Sequence, residues 1–330
     1  MNTPELANSV RLTGDAVEIL DRRVYPFERR WVRCTTSDEV AQAIKDMVTQ
    51  SSGPLFATTA AMVLAARSVR HRPRDLAMRE LRAAGDRLVA TRPTNNHIRD
   101  AVAAILAELE EGDLAEQVEA AAAAHDQAYR DRSAALGRHA AGLLPDGSTV
   151  LTHCWADYYL IATVQAAQEQ GKYLEFVCTE TRPYLQGARL TAATLVEMGY
   201  EPTLITDGMA AAALANGVAD VVLVAADRVT LDGHVVNKVG TLGVALAANR
   251  FGLPFHALVQ RPDPQAPTPA DVVIEHRDPD EVLHVLGVRT AAHGVTGHYP
   301  AFDTTPPDLV TRIVTEKGAF RPENVKEALQ

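Results

Sequence analysis

The chain has 330 residues, about twice the commonest domain size of ~150 residues, so one large domain or two ordinary domains are expected. Its composition, with 47% hydrophobic and 22% charged residues, is close to the globular average and excludes a disordered, collagen-like or disulfide-scaffold protein. The 32 basic and 42 acidic residues give a net charge of −10 without a long basic run, which disfavours nucleic acid as a partner but permits a locally basic pocket.

The apolar runs and the cysteines indicate the compartment. No stretch approaches the ~20 apolar residues of a membrane helix, and the N-terminus lacks a basic segment followed by an apolar one. Three cysteines, Cys34, Cys154 and Cys178, are an odd and sparse set that suits a reducing environment. A cytoplasmic protein with no membrane partner is therefore expected.

The first 145 residues are predicted to form a mostly helical domain with short strands at its start. Residues 1–35 have the pattern of strands and turns, and Thr36 followed by Glu39 is typical of a helix start. Further helices are predicted at three places: residues 56–69, after Arg92-Pro93-Thr94, and residues 114–144, as one long helix or a pair.

Residues 146–330 alternate between short apolar runs and helical spacing. The strand-like runs cover residues 148–153, 173–178, 203–206, 221–224 and 254–259, with helical segments between them. This alternation is the signature of a parallel sheet covered on both faces. The sequence therefore predicts a doubly wound α/β domain over residues 146–330.

Ligands of such sheets bind outside the carboxyl ends of the strands, and four chemically active residues follow those ends. They are Cys154, Glu180, Asp207 and Asp227. For Asp207 we favour a helix N-cap, because a helix follows at once. Asp227 has no helix to cap, and a carboxylate at the end of an apolar strand is expected to be partly desolvated, which makes it a candidate acid/base group.

Two interpretations of Cys154 remain open. It is either a buried structural cysteine or a catalytic thiol whose thiolate is favoured by the start of the following helix. Cys34 and Cys178 have strand-like neighbours and are expected to be structural.

The run Asn237-Lys238-Val239-Gly240-Thr241 is a candidate anion site. Lys238 supplies charge, and the backbone N–H groups near Gly240 open the next helix. The alternative is a solvated turn lysine. No HExxH, CxxC, GxGxxG, P-loop or GxSxG motif is present in the sequence, so neither a metal nor a cofactor is expected.

Several multi-residue motifs, in the same order along nearly the whole chain, resemble the methylthioribose-1-phosphate isomerase family. That family is related to the ribose-1,5-bisphosphate isomerases and to the regulatory subunits of the eukaryotic translation-initiation nucleotide-exchange factor. The motifs that carry the resemblance are Leu20-Asp21-Arg22-Arg23, Arg33-Cys34-Thr35-Thr36, Asp46-Met47-Val48, Arg92-Pro93-Thr94, Leu151-Thr152-His153-Cys154, Glu180-Thr181-Arg182-Pro183, Leu185-Gln186-Gly187-Ala188-Arg189-Leu190-Thr191, Ala226-Asp227-Arg228, Asn237-Lys238-Val239-Gly240-Thr241 and Pro300-Ala301-Phe302-Asp303-Thr304-Thr305-Pro306-Pro307.

The resemblance implies a helical N-terminal domain, a Rossmann-like C-terminal domain, a homodimer and conversion of an aldose 1-phosphate into a ketose 1-phosphate. It assigns the acid/base pair to Cys154 and Asp227, with proton transfer and hydride shift both open. It further implies that the sugar phosphate is held by Arg92, Gln186, Asn237 and Lys238.

This chain departs from the family pattern at three positions of the implied pocket. The family's Arg-Gly-Ala-Pro is replaced by Gln50-Ser51-Ser52-Gly53-Pro54, so one guanidinium is missing, and Ser51, Ser52 and Gly53 are left to bind the anion. Asn-Ala-Gly after the cysteine is replaced by Trp155-Ala156-Asp157, and a common aspartate by His234. Trp155 is expected either to line the pocket at the 5-position of the substrate or to pack between helix and sheet.

Three functions are compatible with these residues. The favoured one is isomerisation of methylthioribose 1-phosphate or of another 5-substituted pentose 1-phosphate. Ribose-1,5-bisphosphate isomerisation is less favoured, because a doubly anionic substrate requires more cations. A non-catalytic sensor subunit is least favoured, since Cys154 and Asp227 are both present.

Overall fold

The computed structural model describes residues 3–92 and 96–330, which fall into two units. Residues 5–131 form one unit, and residues 132–330 with residues 3–4 form the other. The division lies inside a long helix, and a domain boundary at residue 145 stays a prediction. Among the described residues, no helix is long and apolar enough to cross a membrane.

The unit of residues 5–131 combines a small antiparallel sheet with helices. The sheet has the order β1-β2-β3, with β1 (Val10–Thr13), β2 (Ala16–Leu20) and β3 (Trp31–Cys34). The helices of the described part are α1 (Ser37–Lys45), α2 (Gly53–Val69), α3 (Arg74–Thr91), α4 (Asn96–Ala107) and α5 (Leu114–Leu143), of which α5 continues into the second unit as a single helix.

The predicted start of α1 is confirmed in detail. The Thr36 hydroxyl accepts the Glu39 N–H at 3.2 Å, and the Glu39 carboxylate accepts the Thr36 N–H at 3.2 Å. This reciprocal pair satisfies two donors that a helix start leaves unpaired. Sequence analysis did not single out α3, whose buried face is largely made of the small residues Ala77, Ala84 and Gly85 and gives a weak apolar signal.

A partly buried carboxyl group of α5 lies against α2. The Thr59 hydroxyl donates to Asp126 at 2.9 Å. Burial raises the pKa of Asp126 to about 7, against the opposing effects of that hydrogen bond and of the Arg130 charge. The folded state therefore binds the proton more tightly than the unfolded state, and stability is lost as the pH rises from about 4 to about 7.

Replacing Asp126 by Asn should flatten this pH dependence. The wild type is expected to lose on the order of 2–4 kcal/mol of unfolding free energy through this group between pH 4 and pH 8, whereas Asp126→Asn loses none of it and keeps an acceptor for Thr59. Denaturant titrations of both proteins at the two pH values measure the difference. Equal pH dependence in the two proteins would contradict the prediction.

The second unit is built on a seven-stranded sheet with the order β15-β14-β10-β7-β4-β5-β6. All neighbours are parallel except β14 and β15. The strands are β4 (Thr149–Thr152), β5 (Glu175–Thr179), β6 (Thr203–Ile205), β7 (Val221–Ala225), β10 (Phe255–Leu258), β14 (Arg312–Thr315) and β15 (Gly318–Phe320). The predicted α/β fold is confirmed, because the five apolar runs of the sequence are five adjacent parallel strands.

Helices connect these strands: α6 (Asp157–Glu169), α7 (Ala192–Glu197), α8 (Ala210–Ala215) and α9 (Thr241–Arg250). A π-helical turn (Gly187–Thr191) precedes α7, and a short 3-10 helix (Asp207–Met209) precedes α8. Such π turns are frequent at functional sites.

A second, antiparallel sheet with the order β13-β9-β8 lies in the same unit and contains β8 (Arg228–Val229), β9 (Val235–Lys238) and β13 (Phe302–Thr305). Its register places Phe302 opposite Lys238 and Asp303 opposite Asn237. A two-stranded hairpin is formed by β11 (His284–Val285) and β12 (Val288–Arg289). The residues that follow β4, β5, β6 and β7 meet at one edge of the large sheet.

Candidate functional site

Cys154, which follows β4, is held through its backbone. Its φ of 69° is unusual for a residue with a side chain. The Cys154 N–H donates to the Thr181 hydroxyl at 2.9 Å, and its carbonyl accepts from the Thr191 hydroxyl. The backbone N–H of Trp155 donates to the thiol. Hydrogen bonds from three segments therefore hold Cys154 in its strained, positive-φ conformation. Such strain is common at functional sites, where the surrounding structure fixes the direction of a side chain.

The surroundings of Cys154 raise the pKa of its thiol and so favour the protonated form. Burial raises its pKa above the usual range, and the nearby Lys238 charge only partly offsets this effect. The expectation that the start of α6 favours a thiolate is therefore wrong, because desolvation outweighs the favourable charges. Cys34 and Cys178 are buried as expected, and burial raises their pKa values to about 11 and about 12.

Asp207 is not a helix N-cap. Thr206 is the residue that precedes the short helix, and the Asp207 carboxylate instead accepts the backbone N–H groups of Thr181 at 2.8 Å and Arg182 at 2.7 Å. Asp207 thus holds the loop that in turn holds Cys154. Burial and the Asp207 charge both raise the pKa of Glu180, so the residues after β4, β5 and β6 do come together.

His153 joins the ends of three segments as a neutral side chain. Its Nε2 lies 3.0 Å from the Val239 carbonyl oxygen, which only accepts, so Nε2 carries the proton. Its Nδ1 then accepts from the Thr179 hydroxyl at 2.7 Å. Burial lowers the pKa of His153. A Cβ at Gly240 would lie 2.8 Å from the His153 ring, so this packing requires glycine there.

Asp227, which follows β7, is an exposed residue. The expected desolvation is therefore wrong, because Asp227 lies past the strand end, where the chain turns into the second sheet. Its N–H donates to the Val236 carbonyl at 2.9 Å. The carboxylate acts electrostatically on both Cys154 and Lys238, which places all three in one site.

Lys238 is buried, with 7% of its surface exposed, so the solvated-lysine alternative is wrong. Its Nζ lies 4.9 Å from the centroid of the Phe302 ring and 5.8 Å from that of Tyr299. Burial lowers the pKa of Lys238, while the Asp227 carboxylate, and Cys154 when it is a thiolate, act to raise it. The neighbouring Asn237 is also buried.

The backbone N–H groups at the start of α9 are already occupied. Asp303 accepts the Gly240 N–H at 2.7 Å and the Leu242 N–H at 3.2 Å. Two of the N–H groups expected to bind an anion are therefore held by Asp303, and phosphate binding at this helix start stays a prediction. Burial raises the pKa of Asp303 to about 6. At the same helix start, the Asn237 amide donates to the Thr241 hydroxyl at 3.0 Å, and that hydroxyl donates to the Lys238 carbonyl at 2.7 Å.

Gln186 and Trp155 are both buried. Gln186 precedes the π turn, in which a Cβ at Gly187 would lie 1.8 Å from the Thr179 carbonyl oxygen. Trp155 is 4% exposed, and its indole N–H has no partner within the described residues. This burial agrees with the packing interpretation, and contact of Trp155 with a substrate stays a prediction.

Replacing Trp155 by Asn separates the two interpretations. If Trp155 sets specificity, the ratio of kcat/KM between methylthioribose 1-phosphate and ribose 1,5-bisphosphate should shift several-fold with little loss of stability, because an indole fills space that other 5-substituents need. Steady-state kinetics with both sugars and a thermal melt provide the comparison. A large drop in melting temperature with an unchanged ratio would assign Trp155 to packing alone.

The other predicted binding residues lie in the unit of residues 5–131. Ser51 is exposed with a φ of 54°, while Ser52 and Gly53 are buried at the start of α2. Arg92 follows α3, and its Nη1 lies 3.5 Å from the Met47 sulfur. Pro93 and Thr94 lie outside the described residues.

Three residues that the sequence analysis did not single out lie within electrostatic reach of Lys238 or Cys154: Glu275, Arg277 and Tyr299. They lie outside the named helices and strands, where the sequence has no helical or strand-like hydrophobic periodicity. Among the described residues, no group of three His, Cys, Asp or Glu side chains is arranged to hold a metal ion.

The second unit thus carries a thiol and an exposed carboxylate beyond the carboxyl ends of strands of the large sheet, with a buried lysine in the neighbouring antiparallel sheet. Residues of these types are ones that proton transfer and anion binding use. The sequence model of the initiation factor 2 subunit family matches residues 49–322, and the chain belongs to this family. The family resemblance predicted from the motifs is confirmed.

The chain is similar to two differently named kinds of protein. It is 39% identical over 337 residues to a methylthioribose-1-phosphate isomerase of Thermotoga petrophila, covering 96% of each chain. It matches the structure of 5-methylthioribose 1-phosphate isomerase from Pyrococcus horikoshii OT3 with a TM-score of 0.88 and 28% identity, over 99% and 97% of the chains. It also matches the structure of translation initiation factor eIF-2B, subunit delta, from A. fulgidus with a TM-score of 0.84 and 32% identity, over 97% and 98%.

Proposed function

We propose that the protein is an aldose-1-phosphate to ketose-1-phosphate isomerase acting on S-methyl-5-thioribose 1-phosphate or on a close 5-substituted pentose 1-phosphate. The observation that carries the proposal is the position of Cys154 and Asp227, which follow the neighbouring strands β4 and β7 at the same edge of the large sheet. The full-length similarity to the Thermotoga petrophila isomerase supports the substrate.

The two groups supply the proton transfers that the reaction needs. A sugar phosphorylated on its anomeric oxygen cannot open to a free aldehyde, so the bond between C1 and the ring oxygen must break while that oxygen gains a proton. We assign this proton to the Cys154 thiol, which burial keeps protonated. In a proton-transfer route, Asp227 takes the C2 proton and gives it to C1, and the C2 hydroxyl proton returns to the Cys154 thiolate. In a hydride shift, the hydrogen passes from C2 to C1 directly, and Asp227 takes the C2 hydroxyl proton, which is then passed back to Cys154. One hydrogen moves from C2 to C1 on either route, and no net proton is lost.

Lys238 and Asn237 are proposed to hold the phosphate, with Gln186, Arg92, Ser51, Ser52 and Gly53 as further substrate-binding residues. A buried ammonium with lowered pKa stays a strong donor when an anion is near, because the anion restores the charge that burial opposes. No cofactor is part of the proposal.

Lys238→Ala should chiefly weaken substrate binding. Loss of a charge-assisted contact to phosphate costs roughly 1.5–3 kcal/mol, which is about ten- to a hundredfold in affinity. Direct titration of substrate into the inactive Cys154→Ser variant, with and without Lys238→Ala, measures this cost without turnover. An unchanged affinity would remove Lys238 from the phosphate site.

Similarity to the A. fulgidus initiation-factor subunit favours a second candidate, a non-catalytic sugar-phosphate- or nucleotide-sensing subunit. The purified protein should be assayed for ketose product with methylthioribose 1-phosphate, ribose 1,5-bisphosphate and ribose 1-phosphate. Turnover of the first at the highest kcat/KM supports the proposal. Preference for the bisphosphate would assign the other isomerase activity, and binding of all three without turnover would favour the sensing subunit.

The assembly and the compartment are also proposals. A homodimer is proposed from the family resemblance, and a cytoplasmic location from the sparse cysteines, which stay as free thiols in the structure. Sedimentation equilibrium of the purified chain tests the dimer.

A further inference from the structure

A short stretch of extended chain brings a second cation to the antiparallel sheet that carries Lys238. The Arg277 N–H donates to the Tyr299 carbonyl at 3.0 Å, and the Ala301 N–H donates to the Glu275 carbonyl at 2.8 Å. Residues 299–301 lead directly into β13, which pairs with β9 and thus with Lys238. The pairing of residues 275–277 therefore extends this sheet by one more segment.

Alternation along the extended segment puts Glu275 and Arg277 on one side and His276 on the other. The Arg277 Nη2 lies 3.1 Å from the Glu275 Oε1, and only 14% of the Arg277 side chain is exposed. His276 instead lies with its ring centroid 5.7 Å from that of His298. The ion pair fixes the plane of the guanidinium.

The charged side of this segment acts on Lys238. Arg277 disfavours the charged ammonium of Lys238, whereas Glu275 favours it. Both residues also act on the buried Tyr299, whose pKa is raised mainly by burial and which lies within reach of Cys154. Two cations held together in a poorly solvated place repel each other, and an anion that contacts both relieves that repulsion.

We propose that Arg277 and Lys238 together form the subsite for a phosphate group of the substrate, with Glu275 as the anion that pairs with the guanidinium while the subsite is empty. The inference rests on the proposed function for the identity of that substrate. A guanidinium has five N–H donors in a fixed fork, so it can hold the Glu275 carboxylate and a phosphate oxygen together.

Titration calorimetry with inorganic phosphate tests the subsite in four variants. Arg277→Gln should weaken phosphate binding about ten- to a hundredfold, and Arg277→Lys less, because it keeps the charge but loses the fork. Glu275→Gln should bind phosphate at least as tightly as the wild type, since it removes a competing anion. Arg312→Gln makes the same charge change as Arg277→Gln at the amino end of β14 and should stay within twofold.

The sign of the Glu275→Gln effect distinguishes the subsite from an ion pair that only stabilises the fold. An unchanged affinity in Arg277→Gln, or equal losses in Arg277→Gln and Glu275→Gln, overturns the inference. If Arg277→Gln does not fold, weaker phosphate binding by Glu275→Gln alone overturns it. These titrations do not depend on turnover. Unaltered phosphate affinity in Arg277→Gln refutes the subsite alone, and a protein that binds phosphate but lacks isomerase activity refutes the proposed function alone.

Discussion

Cys154→Ser is expected to fold like the wild type and to lose about 10²–10⁴-fold in kcat on the best substrate. A hydroxyl has a pKa far above that of a thiol and is a poor proton donor to a departing ring oxygen. The strained backbone should survive the change, because the bonds from Thr181 and Thr191 engage backbone atoms of residue 154. Steady-state kinetics and a thermal melt check both parts.

Cys178→Ser is the matched control, because Cys178 is fully buried within β5 rather than beyond its end. It places the same hydroxyl in an apolar interior, so it should lower the melting temperature without a comparable loss of kcat. Retention of more than a tenth of the wild-type rate by Cys154→Ser would refute the acid/base role of Cys154.

Asp227→Asn is expected to be as stable as the wild type and nearly inactive, with a loss of about 10²–10⁴-fold in kcat. The amide keeps the shape of the side chain and removes the group that accepts the proton. Stability should be unaffected because Asp227 is exposed and its pairing with Val236 uses the backbone N–H. The rate with saturating substrate is the measurement.

Asp308→Asn is the control for loss of one negative charge, since Asp308 is exposed in the short helix that precedes β14 at the other end of the sheet. It should leave kcat unchanged. If Asp227→Asn keeps nearly full activity while Cys154→Ser is inactive, the paired mechanism is wrong.

The large sheet could be predicted from the sequence because its strands are buried on both faces. Runs such as Val221–Ala225 are apolar throughout, and glycines such as Gly171 and Gly199 have the positive φ values that end helices. Helix α3 escaped prediction, because packing against neighbouring helices gives small residues on its inner face a core position that their hydrophobicity does not indicate.

The positions of the site residues along the chain were predictable, but their partners were not. Strand order alone brings Cys154, Glu180, Asp207 and Asp227 to one edge. The N-cap interpretation of Asp207 failed because its acceptors are used by Thr181 and Arg182, more than twenty residues earlier in the chain. Local rules rank nearby donors first, and only the tertiary structure shows that more distant N–H groups occupy this carboxylate.

The carboxylate of Asp303 at the start of α9 bears on how substrate preference can change in this family. Two N–H groups of this helix start are held by the protein's own carboxylate, so phosphate recognition in the second unit, as proposed, rests more on side chains such as Lys238 than on the backbone of this helix. Backbone N–H groups are the same for almost every residue type, whereas a site made of side chains changes its ligand preference when single residues are substituted. The sheet and its strand-end geometry can then stay the same while the ligand changes, in keeping with one fold shared by relatives named as sugar-phosphate isomerases and as initiation-factor subunits.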